Sequence, residues 1–252
     1  ISVDLIYGLP FQSAESYRRT LNEVLEAHRD RLSVFNYAHL PERFKPQRRI
    51  NAEELPAAAE KLEILEMTGE VLAQAGYVYI GMDHFARPDD ELAVAQRDGS
   101  LYRNFQGYST HADCDLLGFG VTSIGMVGNT YAQNVRTLEE YYERIDAGEL
   151  AVFRGLELSR DDELRRDVIT RLICHFTLDF AAVEQAWGIR FPAYFERELS
   201  RLKKLELDGL VALRPEGIDV LPRGRLLIRN ICMIFDAYLA GEKDPQRYSR
   251  VI

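Results

Sequence analysis

Three short apolar, β-rich runs alternate with two amphipathic helical segments over the first 80 residues, and this alternation restricts the fold more than any other feature of the chain. Residues 1–7 (ISVDLIY) read as a buried strand that turns sharply at Gly8-Leu9-Pro10. Ser13 is placed to cap a helix in which Tyr17, Leu21, Val24, Leu25 and His28 share one face. Residues 32–37 (LSVFNY) form the second run. A long helix is expected over 52–75, with Leu62, Leu65, Val71 and Leu72 inward and Gly76 as its C-terminal glycine, and 77–80 make a third strand. The order is that of parallel βαβ units in an open or closed α/β barrel-like sheet, whose ligands collect at the C-terminal ends of strands. Those ends fall at 8–10, 37–41 and 81–90. The polar, aromatic and weakly periodic stretch 83–110 reads as one long loop, of the kind that usually carries function.

Farther along, a glycine-containing stretch at 117–128 precedes Thr137 and Glu140, a capping box opening a helix through Tyr141, Tyr142 and Ile145. The character of the chain then changes. Residues 1–158 carry 15 Lys plus Arg against 25 Asp plus Glu, whereas 159–252 carry 16 against 15, which sets a domain boundary near Ser159. The second part starts with a helix capped by Ser159 that runs through Leu172 and Ile173. It continues with a helix over 194–207 closed by Asp208-Gly209, then a hairpin of 210–213 and 218–221 joined by a four-residue turn. A closing helix is expected over 224–239, ending near Gly241. Helices, hairpin and helix in this order make a mainly helical, winged-helix-like domain.

A formal charge of -9 argues against a general polyanion-binding surface, on nucleic acid or on an anionic membrane. Cys114, Cys174 and Cys232 lie too far apart for a zinc ribbon or a C-x-x-C redox motif, which suits a reduced, cytoplasmic chain. No apolar run is long enough to span a membrane. The chain opens at Ile1, directly inside an apolar run, and its first residues read like the middle of a protein, so a fragment is expected.

Asp4 stands out as a carboxylate in an apolar strand: it holds either a ligand hydroxyl or ammonium above the strand or the neighbouring backbone. Asp83-His84 reads as an oriented general base or as a locally satisfied loop histidine. The remaining histidines show no metal-ligand spacing, so no metal site is expected. Arg43, Lys45, Arg48 and Arg49 form a basic run just past the second strand, suited to a carboxylate-bearing substrate or to a solvated surface. Arg87, Arg97 and Arg103 point the same way. Glycines 118, 120, 125 and 128 make no dinucleotide fingerprint and mark a turn or a close backbone approach to a ligand.

The segments VDLIYGLP (3–10), SVFNYAHLP (33–41), GMDHFARPDDELA (81–93), NFQGY (104–108), DLLGFGVTSI (115–124) and RLLIRNICMIFD (225–236) closely resemble a known family. It is that of the oxygen-independent coproporphyrinogen III dehydrogenases, or anaerobic coproporphyrinogen III oxidases, radical S-adenosylmethionine enzymes of heme biosynthesis. The resemblance implies the C-terminal portion of a radical S-adenosylmethionine partial (β/α) barrel over 1–158, followed by the helical C-terminal domain over 159–252. The family's CxxxCxxC motif has no counterpart here, so the four-iron four-sulfur ligands lie outside these residues and the isolated fragment is expected to be inactive.

The resemblance further implies two S-adenosylmethionine molecules. Asp4 would contact the one on the cluster, and Phe35, Ala38 and Ile124 the second, with Ile6 and Gln106 near the same pocket. The implied reaction is oxidative decarboxylation of two propionates of coproporphyrinogen III to vinyl groups, giving protoporphyrinogen IX, with an external electron donor and a monomeric enzyme. Arg43 and Arg49 are the expected substrate-carboxylate ligands. The competing readings are a heme chaperone of the same superfamily and a winged-helix nucleic-acid module, the latter weakened by the absence of a basic recognition helix.

Overall fold

The structure, a computed structural model, describes residues 1–239. Strand β1 (Ser2–Tyr7) is followed by helix α1 (Ala14–Glu26), strand β2 (Arg31–Asn36), helix α2 (Ala58–Gln74), and strands β3 (Val78–Gly81) and β4 (His84–Ala86). Ser13 caps α1 in a reciprocal box with Ser16. Gly8 turns the chain after β1 with φ +85°, a conformation open to glycine at little cost, and its N–H donates to Gln12 Oε1 at 2.6 Å.

The sheet order is β1-β2-β4-β3. Strands β1 and β2 are parallel, as expected, but β4 runs antiparallel to both β2 and β3. The tight turn after β3 folds β4 back as a hairpin and inserts it between β2 and β3, so the sheet is mixed. Alternation along the strands sends Tyr7, Leu32, Val34 and Phe85 to one face, where they pack with Tyr17 and Leu21 of α1 and Ile64 and Leu72 of α2. Leu62, expected inside, is 36% exposed; Ile64, Met67 and Thr68 take the inward stripe with Leu65, Val71 and Leu72. The helix also starts later than expected, because Pro56 separates it from a 3₁₀ turn at Ala52–Glu54.

The expected long loop is structured. After β4 come helix α3 (Glu91–Asp98), capped by Asp90 and closed by left-handed Gly99, and the ribbon of β5 (Tyr102–Asn104) and β6 (Gly107–Ser109). A separate three-stranded sheet, ordered β7-β8-β9, joins β7 (Ile124–Val127), β8 (Thr130–Asn134) and β9 (Val152–Glu157), with helix α4 (Leu138–Asp146) between the last two. Thr137 caps α4 as expected, but Glu140 pairs with Arg144 at 3.1 Å and leaves the box one-sided.

Helix α5 (Arg160–His175) opens at Ser159 in a box with Asp162. Strand β10 (Thr177–Asp179), helices α6 (Phe180–Trp187), α7 (Phe191–Tyr194) and α8 (Glu196–Leu207), strands β11 (Val211–Arg214) and β12 (Gly217–Val220), and short helices α9 (Pro222–Arg225) and α10 (Ile228–Cys232) complete the described chain. Helix, strand, helices and hairpin in this succession are the winged-helix order, with β10 pairing to β12 as a strand not anticipated. The hairpin turn is tighter than expected, only Pro215 and Glu216 lying outside the ladder, because Arg214 and Gly217 pair. The closing helix is broken between Arg225 and Ile228, and its expected end at Gly241 lies outside the described residues.

One core runs from Ile80, Ala86 and α3 through α5 to Phe191, Phe195, Ile228 and Phe235, and so crosses Ser159. Ser159→Ala removes an N-cap and should cost about 1 kcal/mol, seen as a lower denaturation midpoint with activity unchanged.

Candidate functional site

The face of the four-stranded sheet opposite α1 and α2 carries the candidate chemistry. Register places Asp4 beside Ser33, Ser33 beside His84, and His84 beside Gly81, a row across β1, β2, β4 and β3. One pleat farther along, Ile6 lies beside Phe35, 48% and 36% exposed respectively. Asp4 is itself exposed and makes no hydrogen bond or ion pair among the described residues, which corrects the expectation of a buried carboxylate. The helix-covered face of the strand is wholly apolar, with Val3, Leu5 and Tyr7, whereas the open face carries Ser2 and Asp4 beside Ile6.

The β5–β6 ribbon covers the far end of this row. The Tyr108 hydroxyl occupies the space over Gly81, where a Cβ would come within 2.2 Å of it, and donates to the Ile173 carbonyl at 3.1 Å. The Tyr108 ring meets His84 edge-on at 5.4 Å between centroids, and His84 in turn meets Phe35 at 6.0 Å. Arg103, cross-strand from Tyr108, lies over the same ring at 5.7 Å.

Burial, with a smaller contribution from Arg103, holds the His84 ring below the ordinary imidazole range, against a lesser pull from Asp4. Its Nδ1 has no partner among the described residues, so Asp83 does not orient it. Burial instead raises the Asp83 carboxyl, opposed by Arg229 and Arg103, while the Asp83 carbonyl accepts from Val34 N–H at 2.7 Å.

His175, away from this row, is also lowered by burial. Below about pH 6.5 the unfolded chain therefore binds more protons than the folded one at both histidines, and stability falls as the pH drops through that value. Asp83 has the opposite sign, its contribution being lost as pH rises through its raised value. The denaturation midpoint of the full-length protein should fall between about pH 7.5 and 5.5, and less steeply in His175→Gln.

The other expected site residues sit on three further elements. Ala38 is exposed just past β2, its carbonyl accepting from Gln47 Nε2 at 3.1 Å, while Gln47 Oε1 takes the Leu40 N–H at 2.6 Å. Gln47 thereby ties the strand end to the 3₁₀ turn Lys45–Arg49, on and just before which Arg49 and Arg43 are exposed. Gln106 is exposed at the tip of the β5–β6 ribbon, where its N–H donates to Asn104 Oδ1. Ile124 begins β7 in the separate sheet, half-buried. The nearby glycines serve the loop itself: a Cβ on Gly125 would lie 2.8 Å from the Leu116 carbonyl, and Asn134 Nδ2 donates to the Gly120 carbonyl at 2.9 Å.

Ser33, His84 and Tyr108 complete the row. Only His84 stood out from sequence, and the signal for the others was positional: alternate residues on neighbouring strands. A cavity of about 620 Å³ lies along α5 and the separate sheet, between Tyr102, Phe105, Tyr131, Arg166 and Tyr238. Its Arg166 is engaged by the Tyr131 hydroxyl at 3.4 Å and its Arg165 by Asp161 and Glu198, while Arg103, which also lines it, lies over the Tyr108 ring beside the sheet face.

No group of metal-ligating side chains is found among the described residues. Cys174 and Cys232 are buried, burial pushing the Cys174 thiol up to about 12 and raising Cys232 as well, while Cys114 is exposed. These cysteines do not fit an iron–sulfur cluster.

Residues 158–227 match the family described as the HemN C-terminal domain. The oxygen-independent coproporphyrinogen III oxidase of Salmonella typhimurium is 58% identical over 251 residues, covering 100% of this chain and 55% of that protein. Its counterpart in Thermostichus vulcanus is 46% identical over 253 residues, covering 100% of this chain and 78% of that protein. The chain belongs to the oxygen-independent coproporphyrinogen III oxidase family. The solved coproporphyrinogen III oxidase (HemN) from Escherichia coli, a radical SAM enzyme, superposes with a TM-score of 0.91 at 56% identity, covering 94% of this chain and 55% of that one. The α/β fold is thus that of the oxidase family, and the chain spans about half the length of the first relatives it matches. No described helix is long and apolar enough to cross a membrane.

Proposed function

We propose that this chain is the C-terminal portion of an enzyme that converts coproporphyrinogen III to protoporphyrinogen IX in heme biosynthesis, with residues 159–252 as a helical domain behind the catalytic part. The observation that carries the reading is the open sheet face, on which the pairing of β1 with β2 gathers Asp4, Ile6 and Phe35, three positions the family resemblance singles out. Exposed apolar side chains beside an uncompensated carboxylate suit a ligand with an aromatic body and a cationic or hydroxyl-bearing arm, as S-adenosylmethionine has.

In this reading Asp4 contacts one S-adenosylmethionine, and Phe35, Ala38 and Ile124, with Ile6 and Gln106, hold a second. S-adenosylmethionine on a reduced four-iron four-sulfur cluster supplies the oxidising radical, and the cluster's ligands belong to residues outside this chain. Each propionate loses one hydrogen atom from its β-carbon, then carbon dioxide and one electron, the electron passing to an acceptor outside this chain, which leaves a vinyl group. This chain orients the tetrapyrrole and keeps water and side chains from quenching the reaction. Arg43 and Arg49 bind substrate carboxylates from the exposed turn, so an Arg43→Ala, Arg49→Ala double variant should bind substrate more weakly. The enzyme works as a cytoplasmic monomer with an external electron donor.

The test is anaerobic reconstitution of the full-length protein with iron and sulfide, followed by incubation with coproporphyrinogen III, reductant and S-adenosylmethionine. Protoporphyrinogen IX is the expected product; a reconstituted protein that makes none and binds heme instead belongs with the heme chaperones.

A further inference from the structure

Two polar groups on the sheet face meet around one aromatic ring without partners of their own. His84 Nδ1 and Arg103 Nε make no hydrogen bond among the described residues. No carboxylate described there lies within ion-pairing distance of Arg103, although Asp83 feels its charge and His84 feels that of Asp4. The Tyr108 ring joins the two, edge-on to His84 and beneath the Arg103 guanidinium, and is itself pinned by its hydroxyl to Ile173 over Gly81. A guanidinium braced on an aromatic face, half-buried and with no described carboxylate at ion-pairing distance, presents a planar fork matched to a carboxylate. Partial burial strengthens that attraction relative to a fully solvated arginine.

We propose that Arg103, flanked by His84 and Tyr108, receives a ligand carboxylate on this face. The inference rests on the reading of the chain as part of a coproporphyrinogen oxidase. There, two carboxylate-bearing molecules reach the face: the tetrapyrrole through its propionates and S-adenosylmethionine through its methionyl end. The chemistry recognised is the same for both. Arg103 thus differs in place from Arg43 and Arg49, which are exposed just before and on the 3₁₀ turn Lys45–Arg49.

The experiment measures equilibrium binding to the reconstituted full-length protein of coproporphyrin III, the stable oxidised relative of the substrate, by fluorescence, and of S-adenosylmethionine by calorimetry. Wild type is compared with Arg103→Gln and Arg103→Lys. Arg103→Gln should weaken one ligand by about tenfold or more, and Arg103→Lys, which keeps the charge but loses the fork, should fall between. Weaker coproporphyrin III binding assigns a propionate to the site, and weaker S-adenosylmethionine binding assigns the methionyl carboxylate. If Arg103→Gln fails to fold, Arg103→Lys carries the test alone through the same ligand-specific loss. Wild-type affinity for both ligands in the folded variants overturns the inference while leaving the enzyme reading intact. A wild-type protein that binds neither overturns both.

Discussion

Asparagine in place of Asp4 is expected to lower kcat/KM of the full-length enzyme by about 10- to 100-fold while leaving its folding stability within about 0.5 kcal/mol of wild type. The two halves of this expectation come from the same observation. Asp4 lies on the uncovered face of β1, exposed, with no hydrogen bond or ion pair among the described residues, so its carboxylate supports nothing in the fold. A charge-assisted hydrogen bond to a ligand is worth about 1.5–3 kcal/mol, and each 1.36 kcal/mol is about a tenfold change in rate or affinity. Asparagine keeps the shape and removes the charge. Steady-state kinetics with S-adenosylmethionine varied, paired with chemical denaturation, checks both halves, and a stability loss without a kinetic one would make Asp4 structural.

The largest stability effect is expected at Phe191, far from the sheet face. Its ring is fully buried, stacked on Phe180 at 4.3 Å and tilted against Phe195 at 4.7 Å, with Phe235 closing the cluster. Phe191→Ala should cost about 3–5 kcal/mol, the transfer of a large aromatic plus the cavity left behind. Guanidinium denaturation of the full-length protein reads the effect, and Phe191→Leu, which fills most of the volume, should recover a large part of it. A loss below about 1 kcal/mol would mean that the site collapses around the smaller side chain.

The elements legible in the sequence were those long enough to show a period, or, like the four-residue strands β3, β11 and β12, bounded by a glycine or turn signal. β1, α1, β2 and α5 announce themselves through apolar spacing and through Ser13 and Ser159, whose caps form as read. The stretch 83–110 did not, because β4, β5 and β6 are three residues each and α3 only eight, too short for alternation or helical spacing to rise above the background. That stretch nevertheless supplies His84, Arg103 and Tyr108 to the site, and they meet only because the hairpin inserts β4 between β2 and β3. Asp4 was visible as an anomaly, but its exposure was not. Apolar neighbours on both sides along the chain suggest burial, whereas only the packing of α1 and α2 decides which face of β1 is covered. The residues that share the face with Asp4 and Ile6 depend on strand register, which the chain sets through its turns rather than through any local motif.

The measurement that tests the account most directly follows hydrogen in the reaction. Full-length enzyme, reconstituted and held anaerobic, is given coproporphyrinogen III deuterated at the propionate β-carbons, with reductant and S-adenosylmethionine. The account predicts deuterium in the 5'-deoxyadenosine recovered, together with protoporphyrinogen IX and carbon dioxide. Protoporphyrinogen IX formed with no deuterium in 5'-deoxyadenosine, or 5'-deoxyadenosine formed with the propionates untouched, would contradict it.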